Sequence, residues 1–390
     1  MTSTAAPHTS HRTTARIASI DALRGLVMLL MLVDHTREYF YLHAQVGDPM
    51  GANVSPGLFA TRLCAHICAP VFIALTGLSA WLYGQKHGVA GARAFLFKRG
   101  LFLVALEITL VNFAWTFDLT PETYFLQVIW VIGLSMIALA GLIGLSRPAL
   151  FLVAGLIVLG HNLLDGIHLA AGEPGHILWT VLHDRGRIAL DFLPWSATAR
   201  TSYPLLPWIG VIALGWCAGP WFAKQTDIAA RQRRLWLAAG VMFAVFVVLR
   251  TINGYGEPVP RWHTDSALMN TLSFFNLTKY PPSADFILCY LSIGTALLAA
   301  LYHMRPRGLT VLAWFGSAPL FFYLLHLYLL HGANRLAGLF FEPAHGALVS
   351  VDHWAWLWLI AAGVALATAP ACRRFGALKQ RSDWAWLKYL

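Results

Sequence analysis

The segment 19–40, SIDALRGLVMLLMLVDHTREYF, places a guanidinium and an imidazole eleven positions apart, at Arg24 and His35. At about 100° per residue, eleven helical steps bring His35 back to within about 20° of Arg24, about 16 Å further along the axis. Asp21 falls on the same stripe. Ionisable side chains at membrane depth usually face a protein interior or a wet cavity. The spacing predicts a groove in which the forked guanidinium of Arg24 holds a phosphate and His35 is the general base.

These residues also have an ordinary structural interpretation. Asp21 and Arg24 could pair at the membrane interface, and His35 could be an unrelated capping residue. We favour function because isolated buried charges rarely fall in register. Asp34 is adjacent to His35 in sequence but lies about 100° round the helix, so it is predicted to orient a neighbouring side chain.

Two further histidines compete for the role of base. His66 precedes CAPVFIALTGLSAWL near the outer start of the second apolar run, so it could share a site with His35. His43 follows the first run. Alternatively, His66 bonds a backbone carbonyl and His43 is solvated. Cys64, His66 and Cys68 have metal-binding side chains, but on a helix His66 points away from the face that the two thiols share, so no metal site is predicted.

Another group of residues is predicted to contact a substrate. Lys279 and Tyr280 lie beside a Pro pair at the end of a long loop, and Tyr203 lies at the entry to the sixth apolar run. In the ninth run Tyr323 and His326 share a face at i, i+3. The predicted substrate-binding residues are Lys279, Tyr280, Tyr203 and His326. The structural alternatives are a headgroup-facing lysine, interfacial tyrosines and a histidine that bridges two spans by a hydrogen bond.

The composition indicates what holds these residues in place. With 390 residues, 58% hydrophobic and 12% charged, the chain is predicted to be an all-α, polytopic membrane helix bundle rather than a soluble domain. About ten apolar runs are long enough to cross a bilayer. They lie at 20–41, 59–84, 96–115, 124–145, 148–165, 204–223, 235–250, 285–303, 310–332 and 353–371.

The net charge of +10 follows the pattern of a membrane topology. Lys and Arg concentrate in alternate connections, so by the positive-inside rule both termini are predicted to be cytoplasmic. We therefore predict no nucleic-acid partner.

Residues 19–372 are predicted to form one membrane domain, with a disordered segment 1–18 before it and a basic cytoplasmic tail 373–390 after it. The first run is too long for a signal-peptide core and is predicted to be retained. Long outer loops near 165–202 and 251–284 are aromatic and are predicted to fold into a cap.

Five segments together resemble a known family. They are SIDALRGLVMLLMLVDH, HICAPVFIALTGLSAWL, YPLLPWIGVIALG, LTKYPPSADFILCYLSIG and GSAPLFFYLLHLYLLH. In this order they resemble bacterial membrane proteins related to heparan-α-glucosaminide N-acetyltransferase, within the transmembrane acyltransferases. The resemblance implies a bundle in the bacterial inner membrane that moves an acyl group, expected to be acetyl, from cytosolic acyl-CoA to a glycan-type acceptor such as an amino sugar on the outer side. Acetyl-CoA is the implied co-substrate, without a metal.

The resemblance also implies roles for single residues. The family's Arg, ten-residue gap and His map onto Arg24 and His35. In the lysosomal branch Asn takes the position of His35 and the catalytic His lies a little further on, where this chain has Val46, with His43 nearby. The base is therefore expected to be His35, as in the wider acyltransferases, or else His43 or His66.

Three functions remain in competition. In the first, a pantetheine arm spans the distance from Arg24 to His35, and His35 either deprotonates the acceptor or forms an acyl-histidine. In the second, a proton-coupled transporter, His35, Asp21 and Glu107 relay protons, although the sequence shows no clear inverted repeat or pair of broken spans. The third is a scaffold that binds no acyl-CoA. The oligomeric state is open between a monomer and a homodimer.

Overall fold

The computed structural model describes residues 18–41, 55–344, 348–382, 384 and 387. His43 lies outside the described residues, as does the predicted N-terminal segment 1–18 except for Ala18. The α-helices, in chain order, are α1 (Ala18–Phe40), α2 (Pro56–His66), α3 (Cys68–Leu106), α4 (Asn112–Thr116), α5 (Val128–Leu142), α6 (Arg147–Gly160), α7 (His176–Leu182), α8 (Leu206–Ala218), α9 (Ile228–Ile252), α10 (Ala267–Phe274), α11 (Ala284–Ala300), α12 (Pro306–Gly316), α13 (Pro319–Ala337) and α14 (Trp354–Arg381). The strands are β1 (Thr123–Leu126), β2 (Arg187–Ala189) and β3 (Thr198–Thr201).

Each of the ten predicted apolar runs contains at least one helix, which confirms a mainly helical membrane bundle. In the described part of the chain, five helical segments are long and apolar enough to cross a membrane. They are Pro56–Thr116, Arg147–Leu164, Ile228–Ile252, Ala284–His303 and Trp354–Arg381. The total of ten spans, the orientation of the termini and the bacterial inner membrane stay predictions. The predicted domain end at residue 372 falls inside α14, which continues to Arg381.

The first predicted run, α1, lies at the centre of the bundle. It packs against α2, α3, α11, α12, α13 and α14. Its acidic and basic side chains make it too polar to be recognised as a span by composition. Asp21 and His35 on this helix are nevertheless buried. The polar stripe therefore faces protein, as the sequence predicts.

A break at Gly88 separates the second and third predicted runs. Gly88 has φ 71° inside α3, a conformation that glycine adopts without steric cost. On the two sides of this break the rings of Tyr83 and Phe95 stack with centroids 4.4 Å apart. In a straight helix residues twelve positions apart would lie about 18 Å from each other. The chain therefore folds back here, and α3 supplies two passes through the bundle.

The ninth predicted run, 310–332, is divided between α12 and α13, which together have the apolar length of one broken span or of a re-entrant loop. The axes of α12 and α13 are bent by 70° at the short connection between them. Glycine lets α12 approach α1 closely: a Cβ added to Gly25 would lie 1.8 Å from the carbonyl oxygen of Leu312. A Cβ added to Gly316 would lie 1.8 Å from the carbonyl oxygen of Asp21. The backbones thus touch beside the site described below.

The predicted outer cap is folded, and it corrects the all-α prediction in one detail. Two short strands of the first long loop join β1, which lies outside both loops, in a sheet of the order β1-β3-β2, with β1 parallel and β2 antiparallel to β3. The first long loop contributes α7, β2 and β3, and the second contributes α10. Strands of three or four residues are too short to produce a recognisable alternation of polar and apolar residues. The sheet could therefore not be predicted from sequence.

Candidate active site

The guanidinium of Arg24 is held by two helices. Its Nη1 atom donates to Oδ1 of Asp21 at 3.1 Å, so the ion pair anticipated from sequence is present. Its Nη2 atom donates to the hydroxyl oxygen of Ser79, on α3. Ser79 in turn donates to the carbonyl oxygen of Leu75 at 2.6 Å. These bonds orient Arg24 towards the cavity whose wall it forms.

Arg24 lines a cavity of about 260 Å³. Three cationic side chains line it: Arg24 from α1, Arg99 from α3 and Lys379 from α14. Met28 and Met31, which follow Arg24 on the predicted stripe, form part of its apolar wall. Clustered cations beside an apolar passage suit a ligand with an anionic end and a slender uncharged arm.

Tyr323 connects this cavity with His35. Its ring lines the cavity and lies edge-on to the His35 imidazole, with ring centroids 5.6 Å apart. Among the described residues that line the cavity, Tyr323 is the one in ring contact with His35. Arg24 and Tyr323 thus line one cavity, and His35 lies against the Tyr323 ring.

His35 makes its closest polar contact with another histidine. The Nδ1 atom of His35 lies 2.7 Å from Nε2 of His326, and Nδ1 of His326 lies 2.7 Å from the carbonyl oxygen of Phe322. A carbonyl oxygen only accepts, so Nδ1–H of neutral His326 donates to the carbonyl of Phe322. Nε2 of His326 therefore accepts a hydrogen bond from Nδ1–H of His35. The tautomers assigned by this network leave the lone pair on Nε2 of His35, as a general base requires.

Aromatic rings enclose this imidazole pair. Trp115 of α4 lies edge-on to His35 at 5.2 Å between centroids, and Tyr39 stacks on Trp115 at the same separation. The hydroxyl of Tyr39 donates to the carbonyl oxygen of Ala114 at 2.9 Å, which fixes its ring. His35 is only 8% exposed. His35 therefore lies in a largely buried pocket that packed aromatic rings enclose.

Asp34 serves a different part of the site from its neighbour His35. Its carboxylate pairs with Arg37 at 3.1 Å and with Nζ of Lys279 at 3.4 Å. It thus holds the end of the second long loop against α1. This geometry agrees with the expectation that Asp34 orients another element rather than His35.

The predicted substrate-binding residues of the cap lie together beside Asp34. The ammonium of Lys279 lies 5.1 Å from the ring centroid of Tyr280, and the hydroxyls of Tyr280 and Tyr203 are 3.2 Å apart. The guanidinium of Arg185 lies 5.3 Å from the centroid of the Tyr280 ring. Tyr203 is buried, whereas Lys279 and Tyr280 are partly exposed. Tyr280 and Lys279 are therefore the members that can reach a ligand.

His66 is held on both ring nitrogens. Its Nε2 accepts from Nε of Arg62 at 3.2 Å, so its Nδ1 carries the proton that faces the Tyr290 hydroxyl at 3.2 Å. Such a histidine lacks a lone pair for proton abstraction. The imidazole that shares a site with His35 is His326. Within the ranges that the structure describes, no three His, Cys, Asp or Glu side chains are grouped to hold a metal ion.

Several site residues were not recognised in the sequence. Arg99 and Lys379 belong to basic stretches that were attributed to topology, and Ser79 and Trp115 carry no sequence signal for a site. His326 was selected, but as a substrate ligand or a bridge between spans. His326 does form a hydrogen bond between two helices, and its partner is His35 on α1. Its i, i+3 relation to Tyr323 was the available signal, and their ring centroids lie 5.7 Å apart.

Comparison with known families agrees with this geometry. Residues 16–249 match the family described as heparan-alpha-glucosaminide N-acetyltransferase, catalytic. The chain belongs to this family. The matched stretch is more than half of the chain and contains Arg24, Asp34 and His35, whereas Tyr323 and His326 lie beyond it. None of the curated proteins compared with the chain matches it. Family membership supports an acyltransferase-like enzyme of the membrane, and the many apolar helices agree with it.

Proposed function

We propose that this protein transfers an acyl group, expected to be acetyl, from cytosolic acyl-CoA to an amine or hydroxyl of a glycan-type acceptor, such as an amino sugar, on the outer side of the membrane. One observation carries the proposal: Arg24 and Tyr323 line the same cavity, and the ring of Tyr323 touches His35. The lone pair assigned to Nε2 of His35 supplies the base there.

The cationic end of the cavity suits the phosphates of CoA. Arg24, Arg99 and Lys379 would bind them by charge-assisted hydrogen bonds. The pantetheine arm would follow Met28 and Met31 towards His35, over the axial distance of about 16 Å that eleven helical residues span. The volume of 260 Å³ is close to the lower end of the range of about 300–1,000 Å³ typical of small-molecule sites.

The proposed reaction is direct transfer. Nε2 of His35 takes a proton from the acceptor, whose nitrogen or oxygen attacks the thioester carbonyl carbon. The tetrahedral adduct then breaks its C–S bond, and the departing thiolate takes the proton back from His35. Throughout, Nε2 of His326 accepts a hydrogen bond from Nδ1–H of His35 and helps to stabilise the imidazolium charge. Attack by Nε2 itself, giving an acyl-histidine, is the alternative.

The acceptor would bind below the cap, against Tyr280 and Lys279. Sugar rings stack on aromatic side chains, and the ammonium of Lys279 is positioned by Asp34 and the ring of Tyr280. Because Asp34 lies next to His35 in α1, an acceptor held by this cluster would be close to the base.

The transporter hypothesis receives less support. Its proposed relay includes Glu107, whose carboxylate is fully buried and accepts backbone N–H groups of Gln127 at 3.3 Å and Trp130 at 3.0 Å. These bonds satisfy the amino-terminal end of α5. Glu107 thus has a structural role, because it caps the amino-terminal end of α5.

The experiment is a donor-and-acceptor assay on the purified protein. Acetyl-CoA is incubated with a panel of amino sugars and envelope glycans, and release of the free thiol is followed with the wild type, His35→Ala and Arg24→Gln. We expect thermal stabilisation by acetyl-CoA, thiol release only with an acceptor, and loss of turnover in His35→Ala. Stabilisation without thiol release for any acceptor would favour a carrier, and no response to acetyl-CoA would favour a scaffold. Acyl label trapped on the protein without acceptor would replace direct transfer by the acyl-histidine route.

A further inference from the structure

Two buried hydrogen-bond donors beside His35 lie close to each other and make no well-formed hydrogen bond among the described residues. They are the hydroxyl of Tyr323 and the indole Nε1–H of Trp115. Buried polar atoms are almost always hydrogen-bonded, so an unsatisfied donor calls for an explanation. Two such donors against the same imidazole indicate a missing acceptor atom.

The two donors are held rigidly. Trp115 and Tyr323 meet His35 edge-on, at interplanar angles of 81° and 79°. Tyr39 stacks on Trp115, while Tyr323 also lies edge-on to His326 with ring centroids 5.7 Å apart. Neither ring can turn away without disturbing this packing.

Tyr323 also marks where a donor substrate would end. It lines the cavity that Arg24 also lines, and its ring touches His35. A thioester delivered along the cavity would thus bring its carbonyl group to the junction of the two donors and the base. A carbonyl oxygen is the acceptor that the junction lacks.

We propose that the Tyr323 hydroxyl and the Trp115 indole N–H form an oxyanion hole for the thioester carbonyl, an inference that rests on the proposed acyl transfer. As the acceptor attacks, the carbonyl π electrons move to oxygen, and both donors bind this oxyanion while His35 holds the acceptor's proton. When the oxyanion re-forms the C=O bond, the C–S bond breaks and the thiolate takes the proton from His35. Fixed donors aimed at developing charge are among the largest contributions to catalysis.

The test combines turnover with the infrared C=O stretch of bound acetyl-CoA labelled with ¹³C at the carbonyl. Tyr323→Phe and Trp115→Phe each remove one donor and keep a ring. Tyr328→Phe is the matched control, because it makes the same change on the same helix and its hydroxyl donates to the carbonyl oxygen of Leu110. We expect kcat to fall about 10²- to 10³-fold in each donor variant, with the Kd of acetyl-CoA within about threefold of wild type.

The infrared band needs no acceptor and therefore separates this inference from the function itself. In the wild type it should move to lower wavenumber on binding, and the shift should shrink in Tyr323→Phe and Trp115→Phe but not in Tyr328→Phe. An unshifted wild-type band overturns the oxyanion hole even if a variant fails to fold. Normal kcat in both Tyr323→Phe and Trp115→Phe also overturns the oxyanion hole but does not contradict the proposed acyl transfer. If wild-type protein binds no acetyl-CoA, both proposals fall.

Discussion

The Nδ1 atom of His35 lies 2.7 Å from the Nε2 atom of His326, although 291 positions separate the two residues. The contact joins α1 to α13 and determines which nitrogen of His35 carries a proton. It makes His326 a positioning residue in the proposed mechanism, because His326 acts through His35 rather than on a substrate.

Replacing His326 should therefore slow catalysis without weakening the binding of acetyl-CoA. We expect His326→Ala to lower kcat about 10²-fold or more, since His35 loses the acceptor that holds its tautomer. In His326→Gln the amide oxygen can accept the same proton, so part of the activity should return, and the pH profile of kcat should differ between the two variants. His303→Ala is the control, because the side chain of His303 is exposed and contacts Gln232. Equal rates for wild type and His326→Ala in the thiol-release assay would show that the pair is only structural.

Removing the charge of Arg24 should weaken the binding of CoA phosphates specifically. A hydrogen bond to a charged group contributes about 1.5–3 kcal/mol, so the Kd of acetyl-CoA should rise about 10- to 150-fold in Arg24→Gln. Acetyl-pantetheine, which lacks the nucleotide, should bind both proteins equally. Arg93→Gln is a matched control, because Arg93 donates to the carbonyl oxygen of Ala140 and does not line the cavity in the described chain. Calorimetric titration with both ligands tests this prediction. An equal loss of affinity for acetyl-CoA and acetyl-pantetheine in Arg24→Gln would contradict it.

Breaking the ion pair between Asp34 and Lys279 should weaken the binding of the glycan acceptor more than the binding of acetyl-CoA. Asp34→Asn and Lys279→Met each remove one charge of a partly buried pair whose atoms lie 3.4 Å apart. We expect the KM of the acceptor to rise about tenfold or more in each variant, while the Kd of acetyl-CoA is unchanged. The double variant should show a coupling of about 0.5–3 kcal/mol, as contacting residues do. Additive effects would mean that the two residues act independently.

A methyl group at Gly25 should destabilise the packing of α1 on α12. Its Cβ would lie 1.8 Å from a backbone oxygen, which no side-chain movement can relieve. Overpacking of this kind costs about 1–3 kcal/mol, so Gly25→Ala should lower the melting temperature and, by moving Arg24, weaken acetyl-CoA binding. Gly332→Ala on α13 is the control, because nothing lies within 4 Å of the added Cβ. A Gly25→Ala protein that melts with the wild type would contradict this packing.

Local periodicity was sufficient for part of the site. Arg24, Met28 and Met31 line one cavity, with His35 just beyond its end, because these residues share one face of a single helix. The same rule placed Tyr323 and His326 together. Composition likewise predicted a helical membrane bundle, since apolar runs of this length have few other stable folds.

Only the tertiary structure decided which residues act together. The partners of His35 and Asp34 lie 291 and 245 positions away, and no local pattern encodes contacts between distant helices. Packing also bent the chain by 70° between α12 and α13, although hydropathy showed a single apolar run there. Spacing along one helix follows from its own geometry, whereas the pairing of side chains on different helices depends on how the whole bundle buries its surfaces.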